Sequence, residues 1–358
     1  MNHMSVPWPL AIYRGVAATL EPAAALFLRW RASRSKEDPA RIAERRGYPG
    51  TDRPEGPLAW LYGASVGETI SLMPLVERLI ARGHNVLVTS GTVTSADILA
   101  QRLPSGAFHQ YLPLDVPRYM RRFLDYWRPD LALIAESEIW PNLLIEAKRR
   151  DVPLVMVNGR MSERSFQRWF RVPEVAHAVL AAFDLCLAQS QADAERFARL
   201  GAPRAANAGN LKFDVPAPPA DPNVLAMLEG LTAGRPIWLA ASTHPGEDEL
   251  IVDAHAAMAR EIPKLLTIIA PRHPQRGGDV EAIARTAGLS AARRAAGLSP
   301  DAATDVYVAD TMGELGLFYR LAPVVFMGGS LVPHGGQNPI EPARLGAAIL
   351  HGPHVHNF

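Results

Sequence analysis

Two α/β domains in series, each built on a doubly wound parallel sheet, are predicted by three observations. Short apolar runs of strand length recur along the chain with amphipathic stretches between them. The pattern halts at a proline-rich segment after residue 214 and then restarts. The 358 residues amount to two domains at ~150 residues per domain. Apolar strands that alternate with helices belong to parallel sheets, whose strands are buried on both faces and so carry little polar patterning.

The first element is an N-terminal segment, residues 1–46. Residues 6–28 are mostly apolar, but Arg14, Glu21 and three prolines interrupt them, which argues against a simple spanning helix. No compact apolar core with a small-residue cleavage site follows, so a signal peptide is not predicted. Residues 29–46 then hold seven basic and three acidic residues, a net +4. An apolar segment followed by positive charge fits an anchor held against anionic lipid. A packed first helix with a solvated charged tail is the alternative.

The first domain, residues 47–214, contains the runs LAWLYGAS (58–65), NVLVTSG (85–91), FHQYLPLD (108–115), LALIAES (131–137), PLVMVNG (153–159) and LCLAQS (185–190). Residues 215–222, VPAPPADP, read as a linker. The second domain, 223–358, repeats the pattern with IWLAAS (237–242), LLTIIAP (265–271), DVYVAD (305–310), PVVFMGG (323–329) and AAILHGP (347–353). Open α/β sheets bind ligands at the carboxyl ends of their strands, so two in series predict a cleft between those ends. A domain of this type carries further helices after its last strand, so continuation beyond Phe358 is expected.

Composition narrows the function classes. Thirty-seven Lys and Arg against 36 Asp and Glu leave +1, without the basic excess of a nucleic-acid-coating protein. Cys186 is the single cysteine, which excludes an internal disulfide and a cysteine-cluster metal site. His351, His354 and His356 have a metal-like spacing but no nearby acid. The arginines at 118, 121, 122 and 128 read as a solvated helix face, whereas Trp169 and Phe170, flanked by arginines, could touch lipid.

The polar residues that follow the strands carry the chemistry. After the first strand comes Ser65-Val66-Gly67-Glu68, with a helix expected from about Thr69. Glu68 there suits either a proton acceptor or an acid stabilising a helix start. Glu136 and Glu138, two apart at the end of a strand, should point the same way and repel unless a cation is near. Lys212 precedes the linker. In the second domain Arg272 suits a phosphate, Asp310 is placed to cap a helix, and Gly328-Gly329-Ser330 and Gly335-Gly336 are turns able to cradle an anion. Glu341 could accept from ribose hydroxyls. No GxxxxGK[ST] motif is present and no GxGxxG follows the first strand, which disfavours P-loop NTPases and simple dehydrogenases.

The runs SVGE (65–68), ESEIWPN (136–142), GNLKFD (209–214), PRHP (271–274), DTMGEL (310–315), GGSLV (328–332), GGQNPIEPA (335–343) and GPHVHNF (352–358) together resemble the 3-deoxy-D-manno-octulosonic acid (Kdo) transferases. The resemblance spans nearly the whole chain in order, with Tyr62 where His is common and Ser137 where Thr is common. It implies a GT-B glycosyltransferase fold, two Rossmann-like domains facing across a cleft, with the acceptor on the first and the CMP-sugar on the second. It implies inverting transfer of Kdo from CMP-Kdo to a lipid A precursor, lipid IVA, at the cytoplasmic side of the inner membrane. On this resemblance Glu68 is the general base, and Glu136 and Lys212 stabilise the transition state. Pro271, Arg272, Met312, Gly313, Glu314, Asn338, Pro339, Ile340 and Glu341 would contact CMP. Neither a metal nor a cofactor besides the donor is implied, and the partners are CMP-Kdo, the lipid A precursor and inner-membrane lipid, with no nucleic acid. Another GT-B sugar-nucleotide enzyme, a UDP-sugar transferase or epimerase, is the alternative.

Overall fold

The computed structural model describes residues 6–357, so the first five residues of the N-terminal segment and Phe358 of the GPHVHNF run lie outside the described residues. The chain divides into two units, Met1–Val215 and Pro216–Phe358.

The first unit opens with helices α1 (Trp8–Thr19) and α2 (Glu21–Ala32). There follow β1 (Leu58–Tyr62), α3 (Val66–Ile80), β2 (Asn85–Ser90), α4 (Val93–Arg102), β3 (Ala107–Tyr111), α5 (Pro117–Trp127), β4 (Leu131–Ala135) and α6 (Pro141–Lys148). The unit is completed by β5 (Leu154–Gly159), α7 (Glu163–Phe170), α8 (Pro173–Leu180), β6 (Leu185–Ala188), α9 (Gln191–Arg199) and β7 (Ala205–Asn207). Its seven strands are parallel in the order β3-β2-β1-β4-β5-β6-β7. All five residues of β1 are buried, as a central strand covered on both faces requires. The order reverses between β1 and β4, and that switch point leaves a crevice at the strands' carboxyl ends.

The second unit runs α10 (Pro222–Leu231), β8 (Ile237–Thr243), α11 (Asp248–Met258), β9 (Leu266–Pro271), α12 (Gly277–Thr286), β10 (Ala291–Arg293), β11 (Val306–Val308), α13 (Leu315–Leu321), β12 (Val324–Met327), α14 (Ile340–Arg344) and β13 (Ala348–His351). Its parallel sheet has the order β10-β11-β9-β8-β12-β13, with the switch between β8 and β12. Strands β7 and β10 were not among the expected runs. Each has three residues, lies at a sheet edge and includes only partly buried or exposed positions beside at most one buried one, so neither needs an apolar run.

The linker is less free than its composition suggests. Asp221 caps α10 by accepting from the Asn223 and Val224 amides at 2.8 and 3.3 Å. Arg320 of α13 donates to the Pro218 carbonyl at 2.7 Å. A Cβ at Gly316 would lie 2.3 Å from the Pro219 oxygen, so glycine there lets the proline segment lie directly on α13.

The N-terminal segment has two characters. No single described helix is long and apolar enough to cross a membrane; α1 and α2 meet that length and composition test only as a pair bent by 65°. Trp8 is 70% exposed, and Ile12, Val16, Leu20, Leu26, Phe27 and Trp30 are also exposed. On its other side α1 buries Leu10, pairs Arg14 with the buried Glu146 of α6, and donates from the Tyr13 hydroxyl to Asp115 at 3.0 Å. The basic run that follows is only partly solvated. Arg31 and Arg45 pair with buried Glu37 at 2.7 and 3.2 Å, and Arg41 forks onto buried Glu44 at 2.8 and 2.9 Å. Arg29, Arg34, Lys36 and Arg46 remain exposed. The aromatic pair at 169–170 also divides: Trp169 packs partly buried against the core, and only Phe170 is exposed.

Candidate functional site

Glu68 sits one turn into α3, at the β1 side of the first switch point. The helix starts at Val66, earlier than expected, because the Ser65 side chain caps it. The Ser65 hydroxyl donates to Glu68 Oε1 at 2.7 Å while accepting the Glu68 amide at 3.4 Å. Glu68 Oε2 accepts the Ala64 amide at 2.8 Å. A Cβ at Gly63 would lie 3.0 Å from the Thr69 nitrogen and 3.1 Å from Glu68, so glycine there admits the helix start close to β1. Burial raises the Glu68 carboxyl above its usual range; the Ser65 and Ala64 hydrogen bonds oppose this, and the charges of Glu136 and Glu138 add to it.

Those two acids follow β4, the other strand of the switch point. They do not point the same way, because the strand ends at Ala135 and Glu136 turns to φ +55°, a left-handed conformation costly for a side-chain-bearing residue. The turned backbone still donates from the Glu136 amide to the Val157 carbonyl at 2.8 Å. Glu136 meets the Lys212 ammonium at 3.3 Å. Glu138 instead accepts from the Tyr62 hydroxyl at 3.2 Å and the Trp140 indole at 3.0 Å. That triangle, closed by the 3.1 Å bond from Trp140 to the Tyr62 oxygen, holds the outer part of the 136–140 loop.

Lys212 reaches Glu136 from 76 residues away because its turn is held by the neighbouring strands. Asn210 accepts the Lys212 amide at 3.0 Å, and Asn158 at the end of β5 accepts the Leu211 amide at 3.0 Å. Gln189, after β6, donates to the Asn158 carbonyl at 3.0 Å. Asn158 is itself left-handed, at φ +56°. Asn158, Gln189, Tyr62 and Trp140 thus support the site without having been singled out for it. Asparagine and glutamine at strand ends are its available sequence signal.

In the second unit, Pro271 ends β9 and the exposed Arg272 follows, its amide donating to the Thr243 carbonyl at 3.0 Å. Beside it the His244 and His334 ring centres lie 4.0 Å apart at a tilt of 35°, with His273 6.4 Å from His244 and Gln337 at 3.1 Å from its Nε2. Burial, then the neighbouring His334, His273 and Arg272, hold His244 below the usual imidazole range, against an opposing pull from Glu247. Neither His244 nor His334 was picked out from sequence.

Two expectations for this unit are corrected. The Gly328-Gly329-Ser330 turn does collect backbone donors, but a protein carboxylate already fills it. Fully buried Glu247 accepts from the amides of Gly329 at 2.7 Å, Ser330 at 3.0 Å, Leu331 at 2.9 Å and His244 at 2.9 Å. Asp310 does not cap α13. It accepts the Ala295 amide at 2.8 Å and pairs with Arg293 at 3.1 Å, tying β11's end to the β10 side.

The Thr311–Glu314 turn borders a cavity of about 520 Å³. Met312 is 78% exposed, and Gly313 takes φ +81°. The Glu314 carboxylate is forked by Arg294 at 2.6 and 2.6 Å and accepts from the Thr311 hydroxyl, interactions that hold it below the usual carboxylate range and the Arg294 guanidinium above its own. Asn338 accepts the Ile340 amide at 3.1 Å, and Asn338, Pro339, Ile340 and Glu341 are all partly buried at the start of α14. Among the described residues no group of three His, Cys, Asp or Glu is placed to hold a metal ion.

Comparison with known proteins identifies the family. Residues 40–215 match the sequence profile of the family described as 3-deoxy-D-manno-octulosonic-acid transferase (kdotransferase). The 3-deoxy-D-manno-octulosonic acid transferase of Haemophilus influenzae is 34% identical over 355 residues, covering 97% of this chain and 82% of that protein. The enzyme of the same name from Bordetella pertussis is 38% identical over 318 residues, covering 86% and 74%. Among solved structures, a glycosyltransferase from Rickettsia africae aligns with TM-score 0.53 at 12% identity, covering 83% of this chain and 79% of that one. UDP-GlcNAc 2-epimerase from Neisseria meningitidis aligns with TM-score 0.52 at 11% identity, covering 83% and 82%. These two structures establish the architecture, a GT-B fold of two Rossmann-like units. Relatives this similar over most of both lengths, on a fold that sets Glu68 and Glu136 on either side of a switch point, place the chain in the 3-deoxy-D-manno-octulosonic acid transferase family of glycosyltransferases.

Proposed function

We propose that this Kdo transferase moves Kdo from CMP-Kdo to lipid IVA with inversion of the anomeric centre, using Glu68 as general base. The observation that carries the reading is the switch-point constellation: a carboxyl with a raised pKa at a helix start, and beside it a second carboxylate paired with Lys212 at 3.3 Å. An alcohol is a poor nucleophile near neutral pH. Glu68 takes its proton as the new C–O bond forms, and a carboxyl raised toward the working pH is a better base than an ordinary one. The anomeric C–O bond to CMP breaks with its electron pair leaving on the phosphate. One base suffices for a single displacement, and no sugar–enzyme bond is needed.

The reacting carbon becomes positive in the transition state, and Glu136 supplies a fixed compensating charge. Lys212 keeps that carboxylate oriented and is a cation for the sugar's own carboxylate. Pro271 and Arg272, Met312–Glu314 and Asn338–Glu341 bind CMP, with Arg272 as the cation for its phosphate. Because the Glu314 carboxylate is largely engaged by Arg294 and Thr311, the turn's contribution to the phosphate and ribose is mainly backbone.

The exposed apolar face of α1 and α2, with Arg29, Arg34, Lys36 and Arg46 near it in sequence, supports attachment at the cytoplasmic side of the inner membrane, where a lipid acceptor resides. The test is mass spectrometry of the product formed from CMP-Kdo and lipid IVA. Addition of Kdo with release of CMP is expected. Transfer only from a UDP-sugar would overturn the assignment.

A further inference from the structure

We propose that Asp115 is a positioning residue for transfer: it fixes the start of α6, and with it the loop that carries Glu136 and Glu138, to helix α1 of the N-terminal segment. The inference rests on the reading that Glu68 and Glu136 act in the reaction. It gives α1 a second task beside attachment to lipid.

Helix α6 has no cap of its own. Trp140 precedes it without a capping side chain, and Pro141 at its first position has no N–H to satisfy. The next two amides are orphans of the helix start, and both go to Asp115, which follows β3. Asn142 donates to Oδ2 at 3.0 Å and Leu143 to Oδ1 at 2.9 Å. The Asn142 side-chain amide also donates to the Asp115 carbonyl at 2.7 Å. Asn142 is fully buried, and its Oδ1 has no hydrogen-bond partner among the described residues. A buried acceptor left open lowers stability, so the place of this asparagine is explained by its grip on Asp115.

The grip reaches the acids through a short loop. Trp140 directly precedes α6, and its indole donates to Glu138 at 3.0 Å. At the loop's other end the Glu136 amide donates to the Val157 carbonyl at 2.8 Å. The 136–140 loop is thus pinned by β5 on one side and by Asp115 on the other. Asp115 is held in turn by the N-terminal segment. The Tyr13 hydroxyl of α1 donates to its Oδ2 at 3.0 Å, and the neighbouring Leu114 amide donates to the Arg45 carbonyl at 2.9 Å. Arg14 of α1 pairs with Glu146 of α6 itself. Helix α1 therefore touches both the cap and the helix that is capped. A displacement of about 1 Å at reacting groups can cost ~10²-fold in rate, so the docking of α1 bears on turnover.

Transfer by the full chain from CMP-Kdo to lipid IVA in vesicles tests this, on wild type, Asp115→Asn and Tyr13→Phe. Asparagine keeps one accepting oxygen but turns a donor toward the helix amides. Its kcat should fall by at least about tenfold, with KM for CMP-Kdo unchanged because the contacts proposed for the donor are on the second unit. The acid limb of the pH–rate profile should also move to lower pH, since Glu136 and Glu138 raise Glu68 from where the loop holds them. Tyr13→Phe changes no charge and removes one hydroxyl from an exposed ring; kcat should fall several-fold. Both variants should sediment with vesicles like wild type, because the exposed apolar residues of α1 and α2 other than Tyr13 are untouched. Lowered melting in Asp115→Asn with wild-type kcat and an unmoved acid limb would reduce Asp115 to a cap and overturn the proposal. If Asp115→Asn does not fold, Tyr13→Phe decides, and wild-type kcat there overturns it. A wild type that transfers no Kdo, or Glu136→Gln with full turnover, would sink the reading on which the inference stands.

Discussion

Replacing Glu68 with Gln separates the base role proposed for it from its hydrogen bonds at the helix start. As a base, its removal should lower turnover at pH 7 by at least ~100-fold, since positioned proton acceptors contribute ~10²–10⁴-fold. As an acid at the helix start it accepts one bond on each oxygen, from the Ser65 hydroxyl at 2.7 Å and from the Ala64 amide at 2.8 Å. Gln retains one accepting oxygen, so one hydrogen bond, worth about 0.5–1.5 kcal/mol, is lost. At ~2–4 °C per kcal/mol for a unit of this size, melting should fall by no more than a few degrees. The raised pKa acts in the opposite direction. The unfolded carboxyl ionises near 4.5 and the folded one higher, so stability falls as pH rises through that window. Gln escapes that penalty, and the melting deficit of the variant should be larger at pH 4 than at pH 7. CMP affinity should not change, because the contacts proposed for it are on the second unit. The assay pairs transfer from CMP-Kdo in lipid vesicles with thermal melting on the same protein. Near-normal turnover with lowered melting would refute the general base and leave Glu68 as a cap alone.

Three other perturbations probe separate parts of the molecule. Glu136→Gln removes a charge that raises Glu68, so the acid limb of the pH–rate profile, expected above 4.5 in wild type, should move to lower pH while turnover falls; a limb that stays in place would dissociate the two carboxyls. Glu247→Gln leaves at least two of four buried amide donors without a proper acceptor, at about 1–3 kcal/mol each, and urea denaturation should show the second unit weakened accordingly. Trp8→Ser combined with Trp30→Ser should reduce sedimentation with anionic vesicles with little change in the melting temperature, because Trp8 is 70% exposed and Trp30 touches only its helix neighbour Phe27 and Arg34 among the described rings and cations; full retention on vesicles would move the membrane contact elsewhere.

Much of the architecture was legible from periodicity alone. A parallel strand covered on both faces has to be apolar throughout, so β1, β4, β8 and β9 announced themselves as runs such as LAWLY and LTIIAP, and the loops after them had to hold the chemistry. Local pattern thereby determined the two sheets, the restart after the prolines, and the placing of Glu68 at a helix start. Edge strands β7 and β10 left no such trace, because a strand paired on one side only can be three residues of mixed burial. What remained undecided was every question of which groups meet. The left-handed turn at Glu136 sends it to Lys212 and leaves Glu138 for Tyr62 and Trp140, although strand spacing would have aimed both acids the same way. The glycine turn at 328–330 looked open to an anion until Glu247, 82 residues earlier than Gly329, was found inside it. Arg31, Arg41 and Arg45 counted toward a lipid-facing charge until Glu37 and Glu44 took them. Burial is a property of each position, and a repeating pattern records it along the chain. A charge's partner depends on how distant segments close around it, and only the folded topology decides that.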